Sequence, residues 1–267
     1  MAIFCLDEIK DYKTILKQLF AEFLGTFLYL SICLLAGTNI GPNIEVIALA
    51  NGLLVASVVQ IIGQISGGHI NPAVTIGVLA RGHIKLLKAV LYIIAQVLGS
   101  LLGAFVAYAV THSNLRQDLG ATIPHKDLRA DQVFGLEFIM TFILVSVVLS
   151  VLDTRRCDRG LGSGPLAIGL SITACQVSAF LYTGSLNPIR SLGPAVVMNI
   201  WTKHWVYWLG PILGGVAAGL TYRFILPGCK KRSFWTRPGC SPISQPVTLT
   251  PGRLVSPAGV YSSARYK

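Results

Sequence analysis

Six apolar runs, each about as long as a bilayer is thick, constrain the fold of this 267-residue chain more than any other feature. A membrane-spanning helix needs about 20 mostly apolar residues. The composition agrees, because 53% of the residues are hydrophobic and only 12% are charged, whereas soluble domains have about 25% charged residues. The predicted spans cover residues 15–37, 44–64, 87–110, 132–152, 164–182 and 203–226. We therefore expect an all-α membrane protein.

Two further apolar segments, 67–80 and 184–199, are too short to cross a bilayer alone. Each opens with small residues that are followed by Asn-Pro, at Asn71-Pro72 and Asn187-Pro188. Asn favours the position that caps a helix N-terminus, and Pro favours the first helical position. Each pair therefore predicts the start of a re-entrant half-helix, and such interrupted segments are typical of transport sites.

The two halves of the chain repeat one another at an offset of 115–117 residues. The matching pairs are Glu22 and Glu137, Gly52 and Gly169, Asn71 and Asn187, and Gly99 and Gly214. Because each half contains three spans, an odd number, the second half is expected to be inverted relative to the first. The half-helices then enter from opposite faces and meet near the midplane. Two facing N-termini, each with about half a positive charge, disfavour cations.

The positive charges indicate orientation. Of the 22 Lys and Arg residues, 17 fall on one predicted side and four on the other, which places both termini in the cytoplasm. We expect a cytoplasmic N-terminus at 1–14, a channel domain at 15–227 and a disordered tail at 228–267. The two repeats of the channel domain are expected at 15–110 and 132–227. The plasma membrane is the expected location, with an intracellular membrane as the alternative.

No catalytic or metal-binding pattern is found in the sequence. The six cysteines form no Cys-x-x-Cys pair, and we interpret Cys33 and Cys175, which lie in apolar segments, as free thiols. No nucleophile–base pair and no nucleic-acid-binding motif is recognisable. The sequence therefore predicts that the chain is not an enzyme, has no bound cofactor or metal, and does not bind nucleic acid.

Four polar residues inside apolar segments are candidate functional residues. A charged residue such as Arg190 is energetically costly inside an apolar segment. This cost favours a role in the pore, where Arg190 donates to a permeating oxygen and repels cations, rather than a position at the surface. For Glu22 and Glu137 two interpretations stay open, a proton-coupling site or a brace for the re-entrant loops, and we favour the brace. His69 is expected to line the pore, with simple packing as the alternative.

The two Asn-Pro boxes carry a family resemblance. SGGHINPAVT at 66–75 and LNPIRSLGPAV at 186–196 resemble the two signature boxes of the aquaporins, the major intrinsic protein family. The likeness covers roughly residues 17–227. It implies six transmembrane helices plus two re-entrant half-helices in inverted three-helix repeats, and a homotetramer with one pore in each subunit. The pore boxes it implies are Asn71, Pro72 and Ala73, and Asn187, Pro188 and Ile189.

Several positions depart from the family pattern. Ile189 replaces the usual Ala, and its bulk is expected to shift the turn or narrow the lumen. At the selectivity constriction, which the resemblance assigns to Asn51, Gln176, Ser185 and Arg190, Asn51 stands where water channels usually carry Phe, and Gln176 where they carry His. We therefore expect a wider, polar constriction. Ser185 falls near the family's mercury-reactive cysteine, so mercury is not expected to block the pore.

The sequence thus predicts a passive channel for water in a lipid bilayer, with passage of small neutral solutes left open. Ser191, where glycerol channels usually carry Asp, argues against glycerol as the main substrate. The alternatives are a glycerol- or urea-permeable facilitator, an anion-conducting channel, a closed structural relative, and a secondary carrier that couples through Glu22 or Glu137.

Overall fold

The computed structural model describes residues 11–39, 43–153, 163–179 and 183–226. In these ranges the chain is helical and has no strand. The elements are α1 (Tyr12–Asn39), α2 (Ile44–Ser66), α3 (Pro72–Arg81), α4 (Leu86–Val110), a 3-10 turn (Ser113–Leu115), α5 (Ala130–Leu152), α6 (Gly164–Ala179), α7 (Pro188–Met198) and α8 (Val206–Phe224). The expected disordered tail, residues 1–10 and the loop that contains Arg155, Arg156 and Arg159 lie outside the described residues.

Four helices, α1, α2, α4 and α5, are long and apolar enough to cross a membrane. Helix α8 has 19 residues, roughly 28 Å, which is close to the hydrocarbon thickness of about 30 Å. Helix α6 has 16 described residues, and the remainder of its predicted span, 180–182, lies outside the described residues. Large apolar side chains are exposed on the outer faces of the helices, among them Leu98, Phe105, Ile139, Leu170 and Leu213.

Two helices begin three residues away from the start of the predicted apolar span, for local reasons. Helix α1 begins at Tyr12 rather than at 15, because the Asp11 carboxylate accepts bonds from the Thr14 amide and hydroxyl at 3.3 and 2.6 Å. Helix α8 begins at Val206 rather than at 203. Lys203 has a φ of 49°, which a right-handed helix does not allow, and its ammonium donates to the Leu128 carbonyl.

Helices α2 and α6 cross in antiparallel directions. The Thr173 hydroxyl donates to the Ala48 carbonyl at 3.3 Å, whereas Gly52 further along α2 faces Gly169 earlier on α6. The C-terminal ends of α2 and α6 therefore point to opposite faces of the molecule. Because α3 follows α2 and α7 follows α6, the two half-helices enter from opposite faces, as the inverted repeat predicts.

Each half-helix packs on the last long helix of the other half. Helix α3 packs against α8, where Gly215 lies against the Ala73 carbonyl, and α7 packs against α4, where Gly193 lies beside Ser100. Within each half, Gly99 and Gly214 permit the close contact of α4 with α1 and of α8 with α5. A Cβ at either glycine would collide with a backbone carbonyl of the neighbouring helix. The two halves are therefore interleaved around one centre.

Candidate functional site

The two Asn-Pro pairs cap the half-helices in the same way. Asn71 has an extended backbone, and its side-chain oxygen accepts the Ala73 amide at 2.8 Å. Asn187 is also extended, and its side-chain oxygen accepts the Ile189 amide at 3.2 Å. Both helices then start with Pro in the first turn, where the missing N–H costs nothing.

The side chains of the same two residues also tie the half-helices to each other. The Asn71 amide nitrogen donates to the Leu186 carbonyl at 2.9 Å, and the Asn187 amide nitrogen donates to the Ile70 carbonyl at 3.0 Å. Each carbonyl belongs to the residue that precedes the other Asn. The two N-termini therefore meet at one junction, and each carboxamide retains a second N–H donor there.

The junction requires an unusual backbone conformation. Ile70 and Leu186 have positive φ values of 41° and 53°. This conformation is rare for residues other than Gly, above all for a β-branched residue such as Ile70. It costs on the order of 1–3 kcal/mol and persists only where neighbouring contacts hold it. Here each residue accepts a bond from the opposite Asn and donates its own N–H to a buried carboxylate.

Glu22 is the carboxylate that holds the first re-entrant loop. One of its oxygens accepts the Ser66 hydroxyl at 2.6 Å and the His69 amide at 2.9 Å. The other accepts the Ile70 amide at 2.7 Å and the Gln96 side-chain amide at 2.9 Å. Glu22 is fully buried. These contacts are those that the bracing hypothesis requires.

Glu137 holds the second loop by the same pattern. One oxygen accepts the Thr183 hydroxyl at 2.5 Å and the Ser185 amide at 2.9 Å, and the other accepts the Leu186 amide at 2.8 Å. Glu137 is also fully buried. Both carboxylates thus satisfy buried loop N–H groups that lie outside the helices and need a partner inside a membrane protein.

A cavity lies at the junction. Its walls come from both halves in pairs related by the repeat: Tyr29 and Leu144, Val55 and Ile172, Asn71 and Asn187. The walls are mostly apolar, and the two carboxamides face the cavity among them. The apolar walls of such a cavity bind a permeating molecule only weakly, and the two carboxamides offer it hydrogen bonds at the centre.

His69 also lines the cavity. Its Nδ1 lies 3.1 Å from the Thr75 hydroxyl, and its ring meets that of Tyr92 edge-on, with the centroids 5.3 Å apart. The hydrogen bond and the ring contact fix the orientation of the imidazole. His69 is therefore placed for both of its proposed roles, lining and packing.

The predicted constriction residues are brought together on one side of the junction. The Asn51 amide donates to the Gln176 side-chain oxygen at 3.2 Å, and the Gln176 amide donates to the Gly184 carbonyl at 2.8 Å. Both side chains are buried, and they bond each other rather than stand apart. Gly184 adjoins Ser185, the third residue of the predicted set.

Arg190 lies in the first turn of α7 and is 6% exposed. Its guanidinium donates to the Gly120 carbonyl at 2.7 Å and to the Thr122 hydroxyl at 2.9 Å. Ser191 links this group to Ser185, because its hydroxyl lies 2.9 Å from that of Thr122 and 2.7 Å from that of Ser185. The connection between α4 and α5 therefore holds the cation in place.

Ile189 does not line the cavity. It is fully buried and is absent from the cavity wall, and its carbonyl accepts the Ser100 hydroxyl at 2.6 Å. The second Asn-Pro turn keeps the cap geometry of the first despite the larger side chain. Ile189 therefore does not narrow this cavity, and its effect on the lumen stays a prediction.

Comparisons with known proteins agree with this geometry. The family described as Major intrinsic protein matches residues 8–222. The chain belongs to the major intrinsic protein family. It is 45% identical to the lens fiber major intrinsic protein of Lithobates pipiens over 79% of this chain and 81% of that protein. It is 42% identical to aquaporin-4 of Mus musculus over 78% of this chain and 67% of that protein.

A solved structure has the same fold. The X-ray structure of the aquaglyceroporin from Plasmodium falciparum superposes with a TM-score of 0.73 at 26% identity. The match covers 80% of this chain and 97% of that one. This chain is thus an integral membrane protein with the aquaporin-like fold of inverted helical repeats.

Several polar residues of this aquaporin-like site were missed in the sequence. Gln96, Thr122, Thr183 and the Gly120 carbonyl hold the acidic and basic residues of the site, and Cys33 contacts Asn51. Polar residues in apolar spans were the available signal for Gln96 and Cys33. Among the described residues no group of three or more His, Cys, Asp or Glu side chains is placed to hold a metal.

Proposed function

We propose that this chain is a passive water channel of the plasma membrane, with an intracellular membrane as the alternative location. The observation that carries the proposal is the pair of crossed Asn bonds at a cavity between two opposed helix N-termini. A water molecule that has shed its neighbours can accept the second N–H of each carboxamide. A cation gains nothing there, because both helix ends are positive.

The proposal includes a domain organisation and an orientation in the membrane. We propose a channel domain at 15–227, made of repeats at 15–110 and 132–227 and flanked by cytoplasmic termini at 1–14 and 228–267. The asymmetry of Lys and Arg supports this orientation. A homotetramer with one pore in each subunit is the assembly proposed from the family resemblance.

The described residues give less support to the alternatives. A carrier needs a titratable coupling group at the path, yet both buried carboxylates accept bonds from loop amides. Passage of small neutral solutes such as glycerol or urea is the second candidate function, and it is favoured by Asn51 and Gln176, which stand where water channels usually carry the aromatic Phe and His. No step in this proposal requires catalysis, a cofactor or nucleic acid.

Water transport is tested with the full chain in proteoliposomes. After an osmotic step in a stopped-flow instrument, we expect light scattering to change much faster than in empty vesicles, with a low activation energy that is typical of a pore. Glycerol and urea gradients applied to the same vesicles measure the second candidate function. Water permeability equal to that of empty vesicles would contradict the proposal.

Arg190→Val is expected to raise proton conductance by about tenfold or more, because it removes a fixed positive charge from the path. A pH-sensitive dye trapped in the vesicles measures the conductance after an acid step. Arg190→Lys keeps the charge and serves as the matched control. A folded Arg190→Val channel that excludes protons as well as the unmodified chain does would refute this role.

A further inference from the structure

Cys33 begins a chain of hydrogen bonds that links four elements of the channel. Its thiol donates to the Asn51 side-chain oxygen at 2.8 Å, the Asn51 amide donates to the Gln176 side-chain oxygen at 3.2 Å, and the Gln176 amide donates to the Gly184 carbonyl at 2.8 Å. The chain runs from α1 through α2 and α6 to the loop before α7. Its three side chains are at most 1% exposed.

The inverted repeat shows where this chain lies. By the offsets of 115 and 117 residues, the counterparts of Cys33, Asn51 and Gln176 are Val148, Ile168 and Val59. All three counterparts line the cavity on the other side of the junction. The polar trio of Cys33, Asn51 and Gln176 therefore occupies the matching positions on the Arg190 side of the junction.

The same symmetry shows that the polar trio is special to one end. Its counterparts Val148, Ile168 and Val59 have no hydrogen-bonding side chain. Asn51 and Gln176 lie one helical turn beyond Val55 and Ile172, which line the cavity on the same helix faces. The trio thus places polar side chains at positions whose repeat-related counterparts are apolar.

The direction of the chain is set at its Gly184 end. The Gly184 carbonyl can only accept, so the Gln176 amide nitrogen must face it. The Gln176 oxygen then faces Asn51 and requires a donor, which leaves the Asn51 oxygen facing Cys33. That oxygen is buried, and the thiol is the donor that completes its bonding.

We propose that Cys33 is a positioning residue that sets the solute selectivity of the constriction. Its S–H bond is the second anchor of the Asn51–Gln176 pair, which the Gly184 carbonyl holds at the other end. Without the thiol the buried Asn51 oxygen has no donor from α1 and the pair is held at one end only, so that Asn51 can turn toward a solute that offers an amide of its own. The permeability to small amides such as urea then rises most, because urea can form with Asn51 the same kind of amide–amide hydrogen bond that was lost. The proposal rests on the proposed channel function.

The test compares urea and water permeability in proteoliposomes of Cys33→Ala and Cys33→Ser. In Cys33→Ala we expect the urea-to-water ratio to rise about threefold or more, because a buried acceptor loses its donor. The Ser hydroxyl donates to Asn51 in place of the thiol, so Cys33→Ser should keep the unmodified ratio. Cys175→Ala is the matched control, because Cys175 is also buried but bonds to the Met140 carbonyl on α5. We expect it to leave the ratio of urea to water permeability unchanged.

Two transport results would overturn the inference: an unchanged ratio in Cys33→Ala, or the same rise in Cys33→Ser. An unmodified chain that passes no water would instead refute the proposed function. The infrared S–H stretch decides the positioning role independently of transport. In the difference spectrum between the unmodified chain and Cys33→Ser, we expect a thiol band shifted to low frequency by hydrogen bonding. Asn51→Leu should move this band up, and an unmoved band would contradict the Cys33–Asn51 bond.

Discussion

Glu137→Leu is expected to lower the free energy of unfolding by about 3–5 kcal/mol or more, so that little of the variant folds correctly. Leu leaves the Thr183 hydroxyl and the Ser185 and Leu186 amides without their acceptor, and each buried donor left unpaired costs about 1–3 kcal/mol. The left-handed turn at Leu186 then loses one of its two restraints. The measurement is the thermal unfolding midpoint and the monodisperse fraction in detergent.

Glu137→Gln separates the brace from a proton-coupling role. Because both carboxylate oxygens accept backbone amides, a Gln side chain must direct its NH₂ group at one of these donors. A brace therefore predicts clear destabilisation by Gln as well as by Leu. Glu45→Gln, at an exposed position in the first turn of α2, is the control and should unfold as the unmodified chain does. A Glu137→Gln protein of full stability would argue for a titrating group instead.

The fold was largely predictable because its signals are local and repeated. Asn71-Pro72 and Asn187-Pro188 specify helix starts by their own chemistry, and two copies in inverted halves require opposed entry. The boundaries at Tyr12 and Val206 were less predictable. They depend on an Asp11 cap and on a positive φ at Lys203, which neighbouring residues decide.

The individual residues of the site were easier to predict from the sequence than the contacts between them. Carboxylates within apolar spans pointed to buried acceptors, and the structure places Glu22 and Glu137 at the loop amides. Their assignment as braces stays a prediction until the variants are measured. The Asn51–Gln176 bond joins residues that are 125 positions apart. Periodicity cannot show such a bond, since it depends on how α2 and α6 cross.

Ile189 shows why the width of a pore is hard to predict from sequence. A larger residue in a signature box suggests a narrower lumen. In the structure the side chain at 189 is fully buried and does not line the cavity, and its carbonyl accepts the Ser100 hydroxyl. Only the direction of the side chain, which depends on how α7 packs against α4, distinguishes the two outcomes.

The central claim is that water passes through the cavity where the two half-helices meet. Ile172 lines that cavity and is 8% exposed, whereas Leu170, two residues away on α6, faces outward and is 48% exposed. A Trp at 172 fills the lumen, and a Trp at 170 lies at the outer surface. Val55→Trp, from the paired position on α2, is a second lumen-filling variant.

The decisive measurement is osmotic water permeability per reconstituted protein for Ile172→Trp beside Leu170→Trp. We expect the water permeability of Ile172→Trp to be lower by about tenfold or more, because a Trp side chain at a cavity-lining position takes up the space through which water would pass. Leu170→Trp should conduct as the unmodified chain does, and both proteins should elute as the same assembly in detergent. Full water permeability in folded Ile172→Trp and Val55→Trp would contradict a path through this cavity.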